Sequence, residues 1–176
     1  LEGKRCVIVY NLKPKKVGMA VRKQALDTLN GGVSLQLIKP LQQFIEKDSS
    51  IVLKKQAVAM LGDQPKSRAK PAILKLLKNL RVTSNPQVEA GLINSLRRTG
   101  YNAGDWKPIK DLLESDYDNE RIPVHEAVLD LVKAHKEVQA IPMLLRNLEE
   151  PIPANVDGGD NPPAEYWKAR WHAWAV

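Results

Sequence analysis

Apolar residues recur along this chain at helical spacing, and the same pattern appears four times. Segments 21–29, 53–61, 88–96 and 124–132 each carry apolar residues at their first, fifth or sixth, and ninth positions. Their starts lie 32, 35 and 36 residues apart. This spacing draws one stripe down a helix, unlike the strict alternation of a strand. Small residues in these segments, Ala25, Ala57 and Ala127, allow a neighbouring helix to come close.

A second apolar segment follows each of the first, and each is marked by a proline. The four read Ile38-Lys39-Pro40-Leu41, Ala69-Lys70-Pro71-Ala72, Trp106-Lys107-Pro108-Ile109 and Ala140-Ile141-Pro142-Met143. Phe44 and Ile45, Leu76 and Leu77, Leu112 and Leu113, and Leu148 continue the pattern one or two turns on. Proline is best tolerated in the first turn of a helix, where its missing N–H had no partner. Each proline is therefore expected to open a helix. Between the two helices of a pair lie Asn30-Gly31-Gly32, Gly62-Asp63 and the stretch from Gly100 to Gly104, which suit a left-handed helix C-terminus. The fourth pair has no glycine at its turn near His135-Lys136. A repeated helix pair of this length cannot bury its stripes alone, so the pairs are expected to stack on their neighbours.

These residues resemble HEAT and HEAT-like repeats. The resemblance is carried by Val21-Arg22 with Ala25, the Leu61-Gly62-Asp63 turn, and the Ala69-Lys70-Pro71-Ala72-Ile73-Leu74 and Ala140-Ile141-Pro142-Met143-Leu144-Leu145 segments. It covers roughly residues 14–149. It implies an all-α fold, an α–α superhelix of about four helix pairs, with the second helices on the concave side. Glu89 and His125 stand where the pattern has arginine, which interrupts any continuous charge ladder.

The expected organisation is one repeat domain over residues 1–176. Residues 1–13 form a partial preceding repeat or cap. The repeats run 14–48, 49–85, 86–117 and 118–149, then an insertion loop at 150–163 and the start of a further helix at 164–176. Residues 5–12 read either as the tail of an earlier Pro-opened helix or as a short edge strand, since β-branched residues are frequent there. The insertion is rich in Pro and Gly, which excludes helix. The chain reads as a piece of something longer.

Composition narrows the classes of function. Apolar residues make up 43% and charged residues 27%, which excludes a disordered chain, and the single Cys6 excludes a disulfide scaffold. No apolar run approaches the roughly 20 residues needed to cross a bilayer. Charge is uneven: residues 1–81 hold 17 Lys+Arg against 5 Asp+Glu, whereas residues 82–176 hold 10 against 15. The basic half suits a phosphate backbone or an acidic protein face. Lys66, Arg68, Lys70, Lys75, Lys78 and Arg81 surround a predicted stripe of Ala69, Ala72, Ile73, Leu76, Leu77 and Leu80. The candidate partner-binding ridge is Lys39, Arg68, Lys70, Lys75, Lys78 and Lys107, with Arg68, Lys75 and Lys78 projecting together.

The expected function is a non-catalytic scaffold holding an acidic protein or peptide. Binding of nucleic acid through the basic half is the alternative, and a HEAT-like DNA glycosylase is a minor variant of it, disfavoured because Trp106 and Asp111, five residues apart on one helix, point to different faces. No aromatics interleave the basic ridge as a base-stacking platform requires. Trp167, Trp171 and Trp174, spaced 4 and 3, share one helix face and read as packing residues. His125, His135 and His172 follow no metal-ligand spacing, Asp157, Asp160, Asn161 and Glu165 do not follow that of a calcium loop, and Cys6 has no nearby histidine. No catalytic residue, cofactor or metal is expected.

Overall fold

The structure is a computed structural model that describes residues 17–114 and 121–149. The expectations for residues 1–13, the 150–163 loop, the 164–176 segment, Cys6, His172 and the three C-terminal tryptophans lie outside the described residues. Those described are all-helical, with nine α-helices and no strand. They are α1 (Met19–Leu29), α2 (Leu35–Lys47), α3 (Ile51–Gly62), α4 (Lys66–Leu77), the short α5 (Leu80–Thr83), α6 (Pro86–Arg98), α7 (Lys107–Glu114), α8 (Ile122–His135) and α9 (Ile141–Glu149). The chain divides into two compact units, Leu1–Tyr101 and Asn102–Val176. The division falls inside the third expected repeat.

In the first unit the helices that begin each pair touch in order, α1 against α3 and α3 against α6. The second helices do likewise, α2 against α4, and α2 and α4 also pack on α3. The apolar stripes supply the core: Leu26 and Leu29 from α1, Leu53, Ala57, Val58 and Leu61 from α3, and Val88, Leu92, Ile93 and Leu96 from α6. Val21 is the exception, exposed, while its neighbour Arg22 is buried instead. Polar caps set where the helices start. Ser34 accepts from Gln36 N, Ser50 from Leu53 N, Asn79 from Arg81 N and Asn85 from Val88 N.

Two expectations about punctuation are corrected. Pro40 and Pro71 do not open their helices, which begin five residues earlier at Leu35 and Lys66. Pro108 and Pro142 do lie in the first turn of α7 and α9. Even there a 3-10 turn precedes them, Ala103–Asp105 and Val138–Ala140. The shared feature is one turn of helix ahead of each proline, followed by a gap in the hydrogen-bond ladder where its N–H is missing. The second correction concerns glycine. Gly31 and Gly100 have the positive φ expected of a C-terminal turn. Gly62 does not; it ends α3 with Asp63 as a right-handed cap, and it is buried against α6. At the turn without glycine, Lys136 takes the left-handed conformation itself, φ 51° and ψ 50°.

In the second unit α7 packs against α8. Asn102 and Asp105 form a reciprocal cap: the Asn102 side chain accepts from Gly104 N, and Asp105 accepts from Asn102 N at 2.9 Å. Trp106, Ile109, Leu113, Val124, Val128, Leu129 and Leu131 are buried. So is His125, whose ring is tied to the Leu112 backbone.

Burial, reinforced by the positive charge of Arg121, holds the His125 imidazole below its ordinary 6.5, while the Leu112 hydrogen bond opposes the shift. The unfolded chain therefore takes up the proton first as pH falls. The stability contributed by a neutral His125 is complete above 6.5 and drains away below it, towards the lowered native value. Thermal unfolding across the pH range about 7.5 to 5 should show a declining midpoint that flattens in His125→Gln. Equal slopes in the two chains would assign the loss to other groups.

Candidate interaction surface

The second helix of the second pair, α4, buries Ala69, Ala72, Ile73 and Leu76. At 100° per residue, Arg68 and Lys75 stand on one flank of that stripe, and Lys66 and Lys70 stand on the other. The basic residues of α4 thus form two flanks around an outer face of Ser67, Pro71, Leu74 and Lys78. Lys70 leans away from Arg68 and donates to the Gly100 carbonyl at 3.2 Å. Arg68, Lys75 and Lys78 are all exposed, with Arg68 and Lys75 two turns apart, about 10 Å along the axis. Lys39 on α2 is exposed as well. Lys107, exposed at the start of α7, belongs to the second unit.

The predicted stripe runs too far. Leu80 does not join the buried face but is 83% exposed, and Leu77 is half-buried. The reason is a break in phase: Lys78 caps α4, and Asn79, accepting from Arg81 N at 3.1 Å, starts the new short helix α5. Asn79 is the sequence signal for this, because asparagine favours N-caps over helix interiors. Leu80 therefore stands in solvent between Lys78 and Arg81.

From 64 to 88 the chain holds six Lys and Arg and no Asp or Glu. Among the described residues, Lys39, Lys66, Arg68, Lys75, Lys78 and Arg81 make no ion pair. An acidic ligand reaching this edge would meet cations with no competing internal carboxylate to displace.

The frame beneath is held by polar links that sequence reasoning missed. Arg22 Nε lies 2.7 Å from Asp48 Oδ2, joining α1 to the turn ahead of α3. The buried Gln64, at the α3–α4 turn, donates to the Gly32 carbonyl at 2.9 Å and accepts from Ser34 N at 2.8 Å. It also donates to Met60 O at 3.0 Å, so one side chain ties two successive turns together. On the outer side of α1, hydrogen bonds from Lys23 and Gln56 hold the Asp27 carboxyl below its usual range. The positions aligned with Arg22 differ along the chain: Lys54 is half-buried, and Glu89 and His125 are buried.

The remaining candidates are dispersed. Trp106 is in the core of the second unit, whereas Asp111 is exposed. His135 is exposed in the last turn of α8, and His125 is interior. Among the described residues no three His, Cys, Asp or Glu side chains converge, and no helix is long and apolar enough to cross a membrane. No protein-family model, curated protein or solved structure matches this chain.

Proposed function

We propose that the chain is a HEAT-like α–α superhelix that performs no chemistry of its own and holds an acidic protein or peptide on the surface of its second helices. The observation that carries this reading is the α4–α5 edge, where the exposed Leu80 stands in sequence between Lys78 and Arg81, and these two cations, like Arg68 and Lys75 on α4, make no ion pair among the described residues. Cations alone would suit any polyanion. A leucine set among them suits a ligand that carries apolar side chains between its carboxylates, which a phosphate backbone does not. Rows of packed helices provide such a ligand with an extended surface on a rigid frame.

The test is fluorescence anisotropy with a labelled peptide of alternating Glu and Leu, beside a duplex oligonucleotide of equal charge. The peptide is expected to bind, and Arg68→Glu with Lys75→Glu and Lys78→Glu should weaken it at least tenfold, about 1.4 kcal/mol. No binding of the peptide, with duplex affinity falling by about one log–log unit of salt dependence per phosphate contacted, would give the surface to nucleic acid.

A further inference from the structure

Exposed aliphatic residues of the first unit collect along one edge. Arg22 joins the first turn of α1 to Asp48, ahead of α3, and Lys55 donates to Gln87 Oε1 at 3.1 Å, which sets the starts of α3 and α6 side by side. At the opposite end Gln64 donates to the Gly32 carbonyl, and Arg98 pairs with Asp63 at 3.1 Å. The three first helices therefore run parallel and start at the same edge. Met19, Ile51 and Pro86 are their first residues, 32 and 35 residues apart, which matches the repeat. Met19, Ile51 and Val52 are 52%, 44% and 66% exposed. The short α5 ends just ahead of α6 and packs on it, so the exposed Leu80 belongs to the same edge.

The exposed charge of this edge has one sign. Lys47, Lys55, Lys78 and Arg81 are exposed there. Asp48 is committed to Arg22 and to Ser50 N, and Glu89 is buried in the first turn of α6. Glu46, half-buried, accepts from Gln42 at 3.1 Å. Along 17–23, 47–55 and 78–88 no Asp or Glu is exposed. Single exposed aliphatic side chains are ordinary, but several on one cationic edge have the character of an interface. Cations interleaved with aliphatic residues complement a chain whose carboxylates are interleaved with apolar side chains.

Packed helices lie about 8–10 Å apart and an extended chain advances about 3 Å per residue, so a ligand crossing this edge passes one helix every three residues or so. In the polyproline conformation, residues three apart share a face. We propose that the acidic peptide lies across the helix starts in this extended form, setting one apolar side chain at Ile51 and Val52, a further one at Leu80, and its carboxylates toward Lys47, Lys55 and Arg81. This path rests on the acidic-peptide reading above and adds a spacing to it, one apolar residue in three.

The experiment is fluorescence anisotropy on the full chain with two labelled peptides of identical length and composition. One carries Leu at every third position among Glu, and the other has its Leu collected at one end. The period-three peptide should bind several-fold tighter. Ile51→Ser with Val52→Ser should weaken it about tenfold, because the burial of two aliphatic side chains is lost. Val52→Ser alone, at a side chain already in solvent, should act in the same direction without disturbing the fold. Val33→Ser with Leu35→Ser, exposed at the opposite end of the unit, should change nothing. Equal affinity of the two peptides would overturn this path and leave the acidic-peptide reading in place. So would binding that Arg68→Glu with Lys75→Glu weakens while the edge variants do not. Absence of binding by either peptide would remove both readings. Cosedimentation with phosphatidylserine vesicles that Val52→Ser abolishes, with peptide affinity unchanged, would overturn the path in favour of a lipid surface.

Discussion

Truncating Asp48 to alanine is expected to destabilise the protein by about 3–5 kcal/mol, a drop of roughly 10 °C in the thermal midpoint. The side chain is wholly buried, and its partner Arg22 is 9% exposed. Asp48 Oδ2 accepts from Arg22 Nε at 2.7 Å, and Oδ1 accepts from Ser50 N at 2.8 Å and, more weakly, from Arg22 Nη2 at 3.4 Å. Arg22 Nη1 donates onward to the Val17 carbonyl at 2.6 Å. Both carboxylate oxygens and all three guanidinium nitrogens have a partner, so the cost of burying the charges is offset only while both side chains are present. Removing the carboxylate leaves a guanidinium that cannot lose its proton in a site with little water. Arg22→Met with Asp48→Leu should recover most of the loss, because the pair contributes less by attraction than either half costs when alone. Urea unfolding with the slope held constant is the measurement. A loss under about 1 kcal/mol for Asp48→Ala would show that water reaches the pair and screens it.

The pair illustrates what could and could not be read from residue order. Helix positions were legible because they depend on neighbours three and four apart, and the stripes from Leu53, Val88 and Val124 all lie in cores. Arg22 and Asp48 are 26 residues apart, and nothing local in the chain announces that they meet. Gln64 is similar, since a glutamine in a turn looks solvated until the turn before it is packed alongside. Prolines were visible but misplaced by a turn at Pro40 and Pro71, because a helix can start before a residue that lacks one hydrogen-bond donor. Its helical spacing from Leu76 and Leu77 predicts Leu80 on the buried face. Asn79 restarted the helix and turned that leucine outward.

The candidate surface was legible in the same uneven way. Arg68, Lys75 and Lys78 could be grouped from spacing and charge alone, and they are exposed as that grouping requires. The separation of Lys66 and Lys70 onto the other flank was implicit in the helical angle. The direction of Lys70 towards Gly100 was not, because it depends on where the end of α6 lies. The proposed preference for a peptide over a phosphate backbone rests on the exposed Leu80, the residue that simple periodicity places on the buried face.

Gly62→Ala should lose about 1–2 kcal/mol, although alanine is the better helix former by nearly 1 kcal/mol. A Cβ there would sit 2.7 Å from Ser95 Oγ, 2.8 Å from Ser95 Cβ and 2.9 Å from Arg98 Nη2. The Arg98 group ends a flexible side chain, so it can swing aside, giving up at most its exposed links to Asp63 and to the Ala59 carbonyl. Ser95 cannot yield as easily, because its Cβ is fixed to the backbone of α6 and its hydroxyl donates to the buried Val58 carbonyl at 3.1 Å. Relief requires α3 and α6 to part, and that loosens the packing of two helices on which Val58, Leu61, Leu92 and Leu96 are buried. The substitutions at Ser95 separate this mechanism from a loss of the hydrogen bond. Ser95→Gly removes the clashing Cβ and should restore much of what Gly62→Ala costs, while Ser95→Ala keeps it and should restore little. If Gly62→Ala instead raised stability, helix propensity alone would govern the position. The α3–α6 contact would then be loose enough to absorb a methyl group, which is incompatible with a close-packed row of first helices.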